Sequence, residues 1–534
     1  MDMDIKSRLN ALNPLGHQNL IQAFDESCAA NADRVAFSCM GQDLSFKDLD
    51  LRSRAFARFL QEELKLSAGD RVAVQLPNIL QYPIAAWGVM RAGMVLVNTN
   101  PMYTERELRH QFKDSGARVV VTLSDLLPMI EKVITDTNVE ALVVVSLTGP
   151  IDTAELAIST LASLHAFDAV TSADEQTALD SSNCTMDDLA ILQYTGGTTG
   201  FSKGAMLTQG NVYAAGRQSA AIWMNLFPDV ERPVLIGAMP LYHIFGFNVN
   251  VVSGVLDGRL SVLIPDPRNT ASIISAFKQF PITAFSGVNT LFTSLMDHPE
   301  FGDIDFSALR GVISGGTALV HEVGERWERL TGSEIYEGYG LSETAAVACC
   351  NGRGDGRQIG TVGQATVGCD VRVIATDGTI LAPGQEGELQ LKGPQVMVGY
   401  WNNPEATESS ITPDGWFSTG DVAIIQDDGF VRIVDRLKDM ILVSGFNVYP
   451  NEVEGVLYEH PHVVECAVVG EASDKTGEAV KAFVVVADQS TDEKALLDFC
   501  RSRLAAYKLP RKIEFRADLP KSNVGKILRR ELRD

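Results

Sequence analysis

A segment rich in glycine and threonine, residues 195–204, carries the strongest chemical signal in the sequence. It reads T-G-G-T-T-G-F-S-K-G and follows an apolar run that ends at Tyr194. Glycines let a backbone approach a ligand closely and turn successive N–H groups towards an anion. Lys203 adds a positive charge, but it does not directly follow a glycine as a Walker A motif demands. The segment therefore predicts a phosphate-binding loop of another kind, with a plain glycine turn as the alternative. Its predicted ligands are Thr195, Gly196, Gly197, Thr198, Thr199, Gly200 and Lys203.

This loop and four further segments resemble, in the same order along the chain, the adenylate-forming superfamily. That superfamily includes acyl-CoA synthetases, peptide-synthetase adenylation domains and beetle luciferases. Residues 336–344 resemble its second core motif, residues 418–421 its ribose site and residues 435–439 its interdomain hinge. Residues 520–526, P-K-S-N-V-G-K, resemble its C-terminal catalytic loop. Residues 414–441 are also similar to the signature of bacterial long-chain-fatty-acid–CoA ligases, and the similarity to that subfamily covers nearly the whole chain.

The resemblance implies a reaction in two steps. ATP activates a fatty acid of medium to long chain to an acyl-adenylate with release of pyrophosphate, and CoA then takes the acyl group as a thioester, leaving AMP. ATP and CoA are the implied co-substrates and Mg²⁺ the implied cofactor. Because a carboxylate and a triphosphate must meet, the site has to neutralise charge without attacking the substrate itself.

The second core motif and the ribose motif imply individual roles for nucleotide-binding residues. Glu343 would place Mg²⁺, a hard cation that needs oxygen ligands, and Ser342 would donate to the α-phosphate. Tyr339 would offer an aromatic face to adenine. Asp421 would accept from both ribose hydroxyls, with support from Arg436; a turn-capping aspartate is the alternative. The other implied nucleotide contacts are Gly315, Gly316, Thr317, Glu337, Gly338 and Gly340.

The C-terminal motif implies that Lys526 is the catalytic cation of adenylate formation. A positive charge delivered as charge shifts on the reacting phosphate stabilises the transition state more than the ground state. Lys438 fills the hinge position, where many synthetases have Asp. Ser444, Gly445 and Phe446 would line the CoA tunnel. Residues 501–533 hold 11 basic and 3 acidic residues; they form either a solvated basic surface or a cap over phosphate.

The acyl pocket has no motif of its own. Its predicted walls are residues 240–246, 285–290 and 344–347. His243, included among the catalytic candidates, is either a neighbour or gate of the substrate carboxylate or a structural histidine. Ser418 and Leu437 differ from the frequent long-chain pattern, which leaves the preferred chain length open.

Rival functions stay open at this point. An aryl-acid ligase of the coumarate type would need a shorter, flatter pocket, and a fatty acyl-AMP ligase would load a carrier protein instead of CoA. Luciferase-like oxygenation has only analogy of fold behind it. A non-catalytic nucleotide-binding or scaffolding protein is disfavoured because Lys526, Glu343 and the complete phosphate loop are present.

Short apolar runs that alternate with helical patterns must position these residues. Alternation of this kind predicts an α/β fold with doubly wound, mostly parallel sheets. After about Gly363, hairpin patterns predict a β-rich subdomain. We expect an AMP-binding N-terminal domain over 1–436 and a small, mobile α+β lid over 437–534 that carries Lys526, with a basic helix beginning near that lysine. The predicted strands are 71–76, 118–123, 141–147, 189–195, 234–239, 261–264, 282–286 and 311–314.

Composition narrows the partners and the compartment. The 534 residues carry a net charge of −23, and such acidity disfavours nucleic acid, whose binding depends on neutralising phosphates. Eight cysteines without a C-x-x-C pair and no signal-like N-terminus suit a reducing cytoplasm. Residues 233–256 lack charged side chains, but prolines, asparagines and glycines predict strand, loop and buried helix there. A peripheral contact with the inner face of a membrane and a homodimer stay open.

Overall fold

The computed structural model describes residues 5–149, 151, 163–172, 184–195, 202–473, 475–488, 490–522 and 525–533. Within these ranges the chain forms four β-sheets with helices packed around them. Five predicted phosphate ligands lie outside the described residues, namely Gly196, Gly197, Thr198, Thr199 and Gly200.

Sheet I contains the strand that leads into the predicted phosphate loop. Its six strands from Leu189–Tyr194 to Ser163–Ala166 are parallel. Two antiparallel strands extend it on the other side. Predominantly apolar strands joined by helices produce such a sheet because crossovers cover both of its faces. In order across the sheet, the described strands are Gly399–Tyr400, Gly204–Thr208, Leu189–Tyr194, Val95–Asn98, Arg71–Gln75, Val119–Leu123, Ala141–Val145 and Ser163–Ala166.

Sheet II is also parallel through its centre and carries the glycine-rich strand ends of the predicted nucleotide site. Antiparallel strands close both of its edges. The four strands predicted in sheet II are confirmed, with shifts of one or two residues at their ends. In order, the described strands are Gln364–Ala365, Cys349–Cys350, Glu334–Tyr339, Gly311–Gly315, Ala284–Gly287, Val234–Gly237, Leu260–Leu263, Val35–Cys39 and Gln42–Ser45.

A helix that is apolar nearly all round, Gln81–Arg91, lies in the core shared by sheets I and II. Helices of this composition are stable only when buried on every side. Trp87 stacks on Phe24 with ring centroids 4.1 Å apart. Arg91, at the end of the helix, is 2% exposed and pairs with Asp25 and Asp50, because a buried charge needs such partners.

Sheets III and IV follow in the last third of the chain and are mainly antiparallel, as the hairpin patterns predict. Sheet III supplies Asp421 and Arg436 to the candidate site. Sheet IV has its own apolar core. The described strands of sheet III are Asp370–Ile374, Glu386–Lys392, Phe417–Ile425 and Val431–Arg436, and those of sheet IV are Phe446–Val448, Ile441–Val443, Gly477–Val486, Val463–Ser473 and Lys512–Phe515.

The chain around residues 233–256 forms a strand, a turn and buried helix, as predicted. A π-helix, Phe247–Ser253, follows the strand and is buried throughout. Within the described ranges, every helix is too short or too polar to cross a bilayer. The described α-helices are Ile5–Leu12, Leu20–Ala30, Phe46–Arg58, Gln81–Arg91, Glu105–Ser115, Leu127–Ile134, Phe167–Val170, Gln209–Leu226, Ile244–Gly246, Gly254–Leu256, Thr270–Gln279, Asn289–Met296, His321–Thr331, Pro404–Ser410, Pro450–Tyr458 and Glu493–Arg501.

The prediction of a basic helix beginning near Lys526 is wrong. Residues 525–533 contain a single 3₁₀ turn, Arg529–Leu532. Leu532 packs into an apolar cluster with Phe483, and Arg529 turns inwards to a group of carboxylates. Two residues of this turn therefore make inward contacts, so the basic residues do not form one solvated helical face.

Candidate active site

The parallel strands of sheet II bring two predicted nucleotide-binding segments side by side. Gly315 pairs with Gly338 on the neighbouring strand, so the loops that leave these strands emerge from the same edge, where α/β sheets commonly bind ligands. Gly340 must be glycine because a Cβ there would lie 1.5 Å from the carbonyl oxygen of Ala346. The predicted adenine wall and the motif around Glu343 therefore share one edge.

Two alanines after Glu343 have strained backbones. Ala345 has a φ of 48° and Ala346 a φ of 109°, in a region that residues other than glycine rarely adopt. Asn248 Nδ2 donates to the Ala345 carbonyl at 3.1 Å, which ties this turn to the buried π-helix. Backbone strain of this kind is concentrated at functional sites, and here it lies in a predicted wall of the acyl pocket.

The predicted phosphate loop joins two antiparallel strands of sheet I. Tyr194 pairs with Gly204, and Thr195 N–H donates to the Lys203 carbonyl at 3.0 Å. The two ends of the loop are therefore held together by backbone hydrogen bonds. Lys203 Nζ lies 4.5 Å from the centre of the Tyr400 ring.

Glu343 is the middle residue of a 3₁₀ turn, Ser342–Thr344, and it contacts the same tyrosine. Tyr400 Oη donates to Glu343 Oε1 at 2.7 Å. Burial, and then the nearby Glu343 carboxylate, raise the pKa of Tyr400 well above its usual range. The tyrosine therefore stays neutral and remains a donor. The residue types in the sequence gave no signal for this contact.

Sheet III places Asp421 directly opposite Arg436 on adjacent strands. Asp421 is 2% exposed. Its Oδ1 lies 2.6 Å from Arg436 Nε, and its Oδ2 accepts from the Tyr339 hydroxyl. Both oxygens of the predicted ribose ligand are thus engaged by protein donors, and the Tyr339 ring is fixed through its hydroxyl.

Lys526 lies against the predicted acyl wall. A Cβ added to the preceding Gly525 would come within 2.7 Å of Thr290 Oγ1. Lys526 is accessible to solvent, yet desolvation by the surrounding protein, and then Arg436, lower its pKa to about 8. Burial, and then the charge of Lys526, lower the pKa of His243 to about 4. The charge of Arg436 therefore acts on Lys526, and the charge of Lys526 acts on His243.

Arg529, which sequence reasoning placed only within a basic tail, anchors the segment that carries Lys526. Its Nη2 lies 2.6 Å from Glu454 Oε2, and its Nη1 lies 3.2 Å from Asp435 Oδ1. The Asp435 side chain is fully buried and also accepts from the Asn451 N–H at 2.7 Å. The sequence pointed to this network only through the position of Asp435 in the motif that resembles the hinge.

Other predicted site residues lie apart from this cluster. Glu337 is buried and accepts hydrogen bonds from the Leu319 and Gly360 N–H groups, and burial raises its pKa to about 7. Ser444 and Gly445 form the exposed turn of a hairpin in sheet IV. The Phe446 ring in that hairpin stacks on Tyr507 at 4.9 Å. Lys438 is exposed in the connection between sheets III and IV.

The remaining predicted nucleotide contacts lie just after strands of sheet II, at the same edge. Gly316 has a φ of +85° and Thr317 follows it as the chain leaves the strand Gly311–Gly315. A Cβ at Gly315 would lie 3.1 Å from Phe245 Cε1, so the predicted adenine wall and acyl wall contact each other. Ser342 stands one residue before Glu343 in the 3₁₀ turn.

Comparison with known proteins assigns the family. A family model described as AMP-binding enzyme matches residues 24–401, and one described as AMP-binding enzyme C-terminal domain matches residues 452–526. A long-chain-fatty-acid–CoA ligase of Salmonella typhimurium is 44% identical over 98% of this chain and 95% of its own. A feruloyl-CoA synthase of Amycolatopsis is 35% identical over 92% of this chain and 94% of its own.

Solved structures agree with this assignment. ATP-bound MatB from Rhodopseudomonas palustris superimposes with a TM-score of 0.85 at 30% identity, covering 96% of this chain and 98% of its own. An anthranilate CoA ligase in complex with anthranoyl-AMP gives a TM-score of 0.86 at 26% identity, covering 96% of both chains. This chain belongs to the AMP-binding enzymes, and within them to the group that contains the long-chain-fatty-acid–CoA ligases.

Proposed function

We propose that this chain activates a fatty acid of medium to long chain with ATP to an acyl-adenylate, releases pyrophosphate, and then transfers the acyl group to CoA with release of AMP. The 44% identity to a long-chain-fatty-acid–CoA ligase supports the reaction and the substrate class. The observation that carries the proposal is the pairing of Asp421 with Arg436 on adjacent strands, with Tyr339 bonded to Asp421. The charge of Arg436 acts on Lys526 and that of Lys526 on His243.

Adenylate formation brings a fatty carboxylate onto the α-phosphate, so negative charge builds up between two anions. Lys526 and Arg436 are the cations beside that position. Burial lowers the pKa of Arg436, but Asp421, Tyr339 and Glu343 raise it by more, so the guanidinium stays charged. Fixed cations in a partly desolvated site stabilise developing charge without reorganising.

His243 would face the substrate carboxylate as a neutral donor. The Phe245 N–H donates to its Nδ1 at 3.3 Å, so the neutral ring carries its proton on Nε2. With a pKa near 4, the ring stays neutral at physiological pH. A neutral N–H can orient a carboxylate without competing with Lys526 for it.

Mg²⁺ fits the donor set around Glu343. This cation takes oxygen ligands and commonly binds through one or two carboxylates together with substrate phosphates and water. No cluster of three or more His, Cys, Asp or Glu side chains that could hold a metal occurs among the described residues. Glu343 would supply one carboxylate to the cation, and the triphosphate and water would supply the other oxygen ligands.

The thioester step requires access for CoA. We propose that residues 1–436 form the AMP-binding domain, that residues 437–534 form a lid, and that Lys438 is the hinge between them. Rotation of the lid would withdraw Lys526 and turn Ser444, Gly445 and Phe446 towards the pantetheine arm. The exposure of that hairpin turn supports this proposal.

Cytoplasmic location with peripheral contact at the inner membrane face is part of the proposal, because fatty acids partition into lipid. A homodimer is a further element of it. Co-sedimentation with anionic vesicles tests the membrane contact, and sedimentation velocity tests the dimer. Failure to co-sediment with vesicles would contradict the membrane contact, and a monomer at micromolar concentration would contradict the dimer. Neither result would affect the proposed reaction.

The reaction is tested by supplying ATP, Mg²⁺ and a panel of aliphatic and aromatic acids, with and without CoA, while pyrophosphate and AMP are measured. We expect CoA-dependent AMP release with fatty acids of medium to long chain. A preference for aromatic acids would support the alternative of an aryl-acid ligase. The feruloyl-CoA synthase relative is an example of that class. Pyrophosphate release without thioester would support loading of a carrier protein.

A further inference from the structure

One tyrosine outside the recognised motifs contacts both groups that are proposed to handle the triphosphate. The hydroxyl of Tyr400 donates to Glu343 at 2.7 Å, and the face of its ring receives the Lys203 ammonium at 4.5 Å from the ring centre. The hydroxyl therefore contacts Glu343 and the ring contacts Lys203. Glu343 and Lys203 come from sheet II and sheet I respectively, so this side chain bridges the two sheets at the site.

The backbone around Tyr400 is fixed to the same two segments. Its strand pairs with the strand after the phosphate loop, with Tyr400 opposite Ala205. Trp401 N–H donates to the Gly204 carbonyl at 2.8 Å. Met397 N–H donates to the Glu343 carbonyl, also at 2.8 Å. Tyr400 is 7% exposed, and little room remains for the ring to turn.

We propose that Tyr400 is a positioning residue that holds Glu343 and Lys203 in register for the metal-bound triphosphate. A carboxylate that accepts one fixed hydrogen bond has a set orientation, which leaves its other oxygen for the cation. A lysine held over an aromatic face is likewise restrained, since cation–π attraction favours that geometry. The inference rests on the proposed roles of Glu343 and Lys203 in the ligase reaction.

The two contacts can be removed separately in the full-length protein. Tyr400→Phe deletes the hydroxyl and keeps the ring, whereas Tyr400→Leu deletes both. Tyr213→Phe is the matched control, because Tyr213 is also buried and hydrogen-bonded, to Asn13 and His17. Within the described ranges, its hydrogen bonds and ring contact go to residues outside the proposed site. Thermal unfolding of all three variants identifies any that fail to fold.

The direct readout is Mn²⁺ binding in the presence of α,β-methylene-ATP, followed by electron paramagnetic resonance without turnover. We expect Tyr400→Phe to weaken Mn²⁺ binding about tenfold, as expected for loss of a hydrogen bond to a charged group. Metal-free binding of the nucleotide should be unchanged in this variant. Tyr400→Leu should in addition weaken metal-free nucleotide binding roughly threefold, through the lost restraint on Lys203.

Three results would overturn the inference. Tyr400→Phe could bind Mn²⁺ like the wild type, Tyr213→Phe could lose as much Mn²⁺ binding as Tyr400→Phe, or the two Tyr400 variants could be identical in every readout. Failure of the proposed function has a different signature, because the wild type itself would then form neither acyl-adenylate nor acyl-CoA from ATP and fatty acids.

Discussion

The edge of sheets II and III that is proposed to face the nucleotide and the C-terminal segment that carries Lys526 hold their charged groups in different ways. Asp421 and Arg436 lie on paired strands and Tyr339 ends a third strand, so backbone ladders fix them. Residues 525–533 have only one 3₁₀ turn, and Arg529 ties them down through side chains.

The difference suits two separate tasks, which are holding the nucleotide and moving the lysine. Groups on paired strands cannot move without breaking a sheet, which suits a nucleotide cradle that must persist through both half-reactions. A segment held by side-chain contacts, without a strand ladder, can be withdrawn without breaking a sheet. Lys526, the proposed catalytic lysine, is therefore attached to a part of the chain that can be withdrawn without breaking a sheet.

The largest effect is expected from Lys526→Ala. Adenylate formation should fall by ~10²–10³, as for other lost electrostatic donors. Thioester formation from preformed acyl-adenylate should change little, because it does not need this charge. Pyrophosphate release and thioester formation are measured separately. Equal loss in the two half-reactions would contradict the assignment of Lys526 to the first one alone.

Asp421→Asn tests the rigid region. If Asp421 accepts from the ribose, the wild type should bind AMP about tenfold more tightly than 2′-deoxy-AMP, and the variant should lose most of that preference. Calorimetric titration with both nucleotides measures it. Because Asp421 also pairs with Arg436, thermal unfolding is recorded alongside. A variant that weakens both nucleotides equally would assign Asp421 a structural role only.

Arg529→Met tests the attachment of the lysine segment. Adenylate formation should fall about tenfold, whereas the thioester step should be retained. If Arg529 acts only by positioning Lys526, the double variant should lose no more adenylate formation than Lys526→Ala alone. Arg533→Met is the control, because Arg533 makes one exposed ion pair with Asp439, and such pairs are weak. If both arginine variants lose activity alike, the inward network of Arg529 has no special role.

The smallest effect is a pH dependence of adenylate formation. Lys526 must be protonated to supply charge, and its pKa is lowered to about 8, so kcat/KM should fall by about fourfold between pH 7 and 8.5. Bound triphosphate favours the protonated lysine, so the fall in kcat should occur at higher pH. Lys526→Arg should remove the dependence. A rate that rises over this range would contradict the proposed role of the ammonium.

Much of the fold could be predicted from the sequence because its signals are local. Apolar runs of strand length predicted the parallel strands to within one or two residues. The helix predicted near Lys526 failed for a non-local reason. Arg529 and Leu532 each have a partner far away in the chain, and those contacts override the local preference.

The types and order of the motif residues were sufficient to indicate an adenylate-forming enzyme and the identity of its charged groups. The contacts among those groups were decided only by the tertiary structure. Tyr400 meets Glu343 across 57 residues of chain, and Arg529 meets Asp435 across 94. Pairs so distant come together through strand pairing and sheet packing, and no local pattern in one segment specifies which side chain of another will face it.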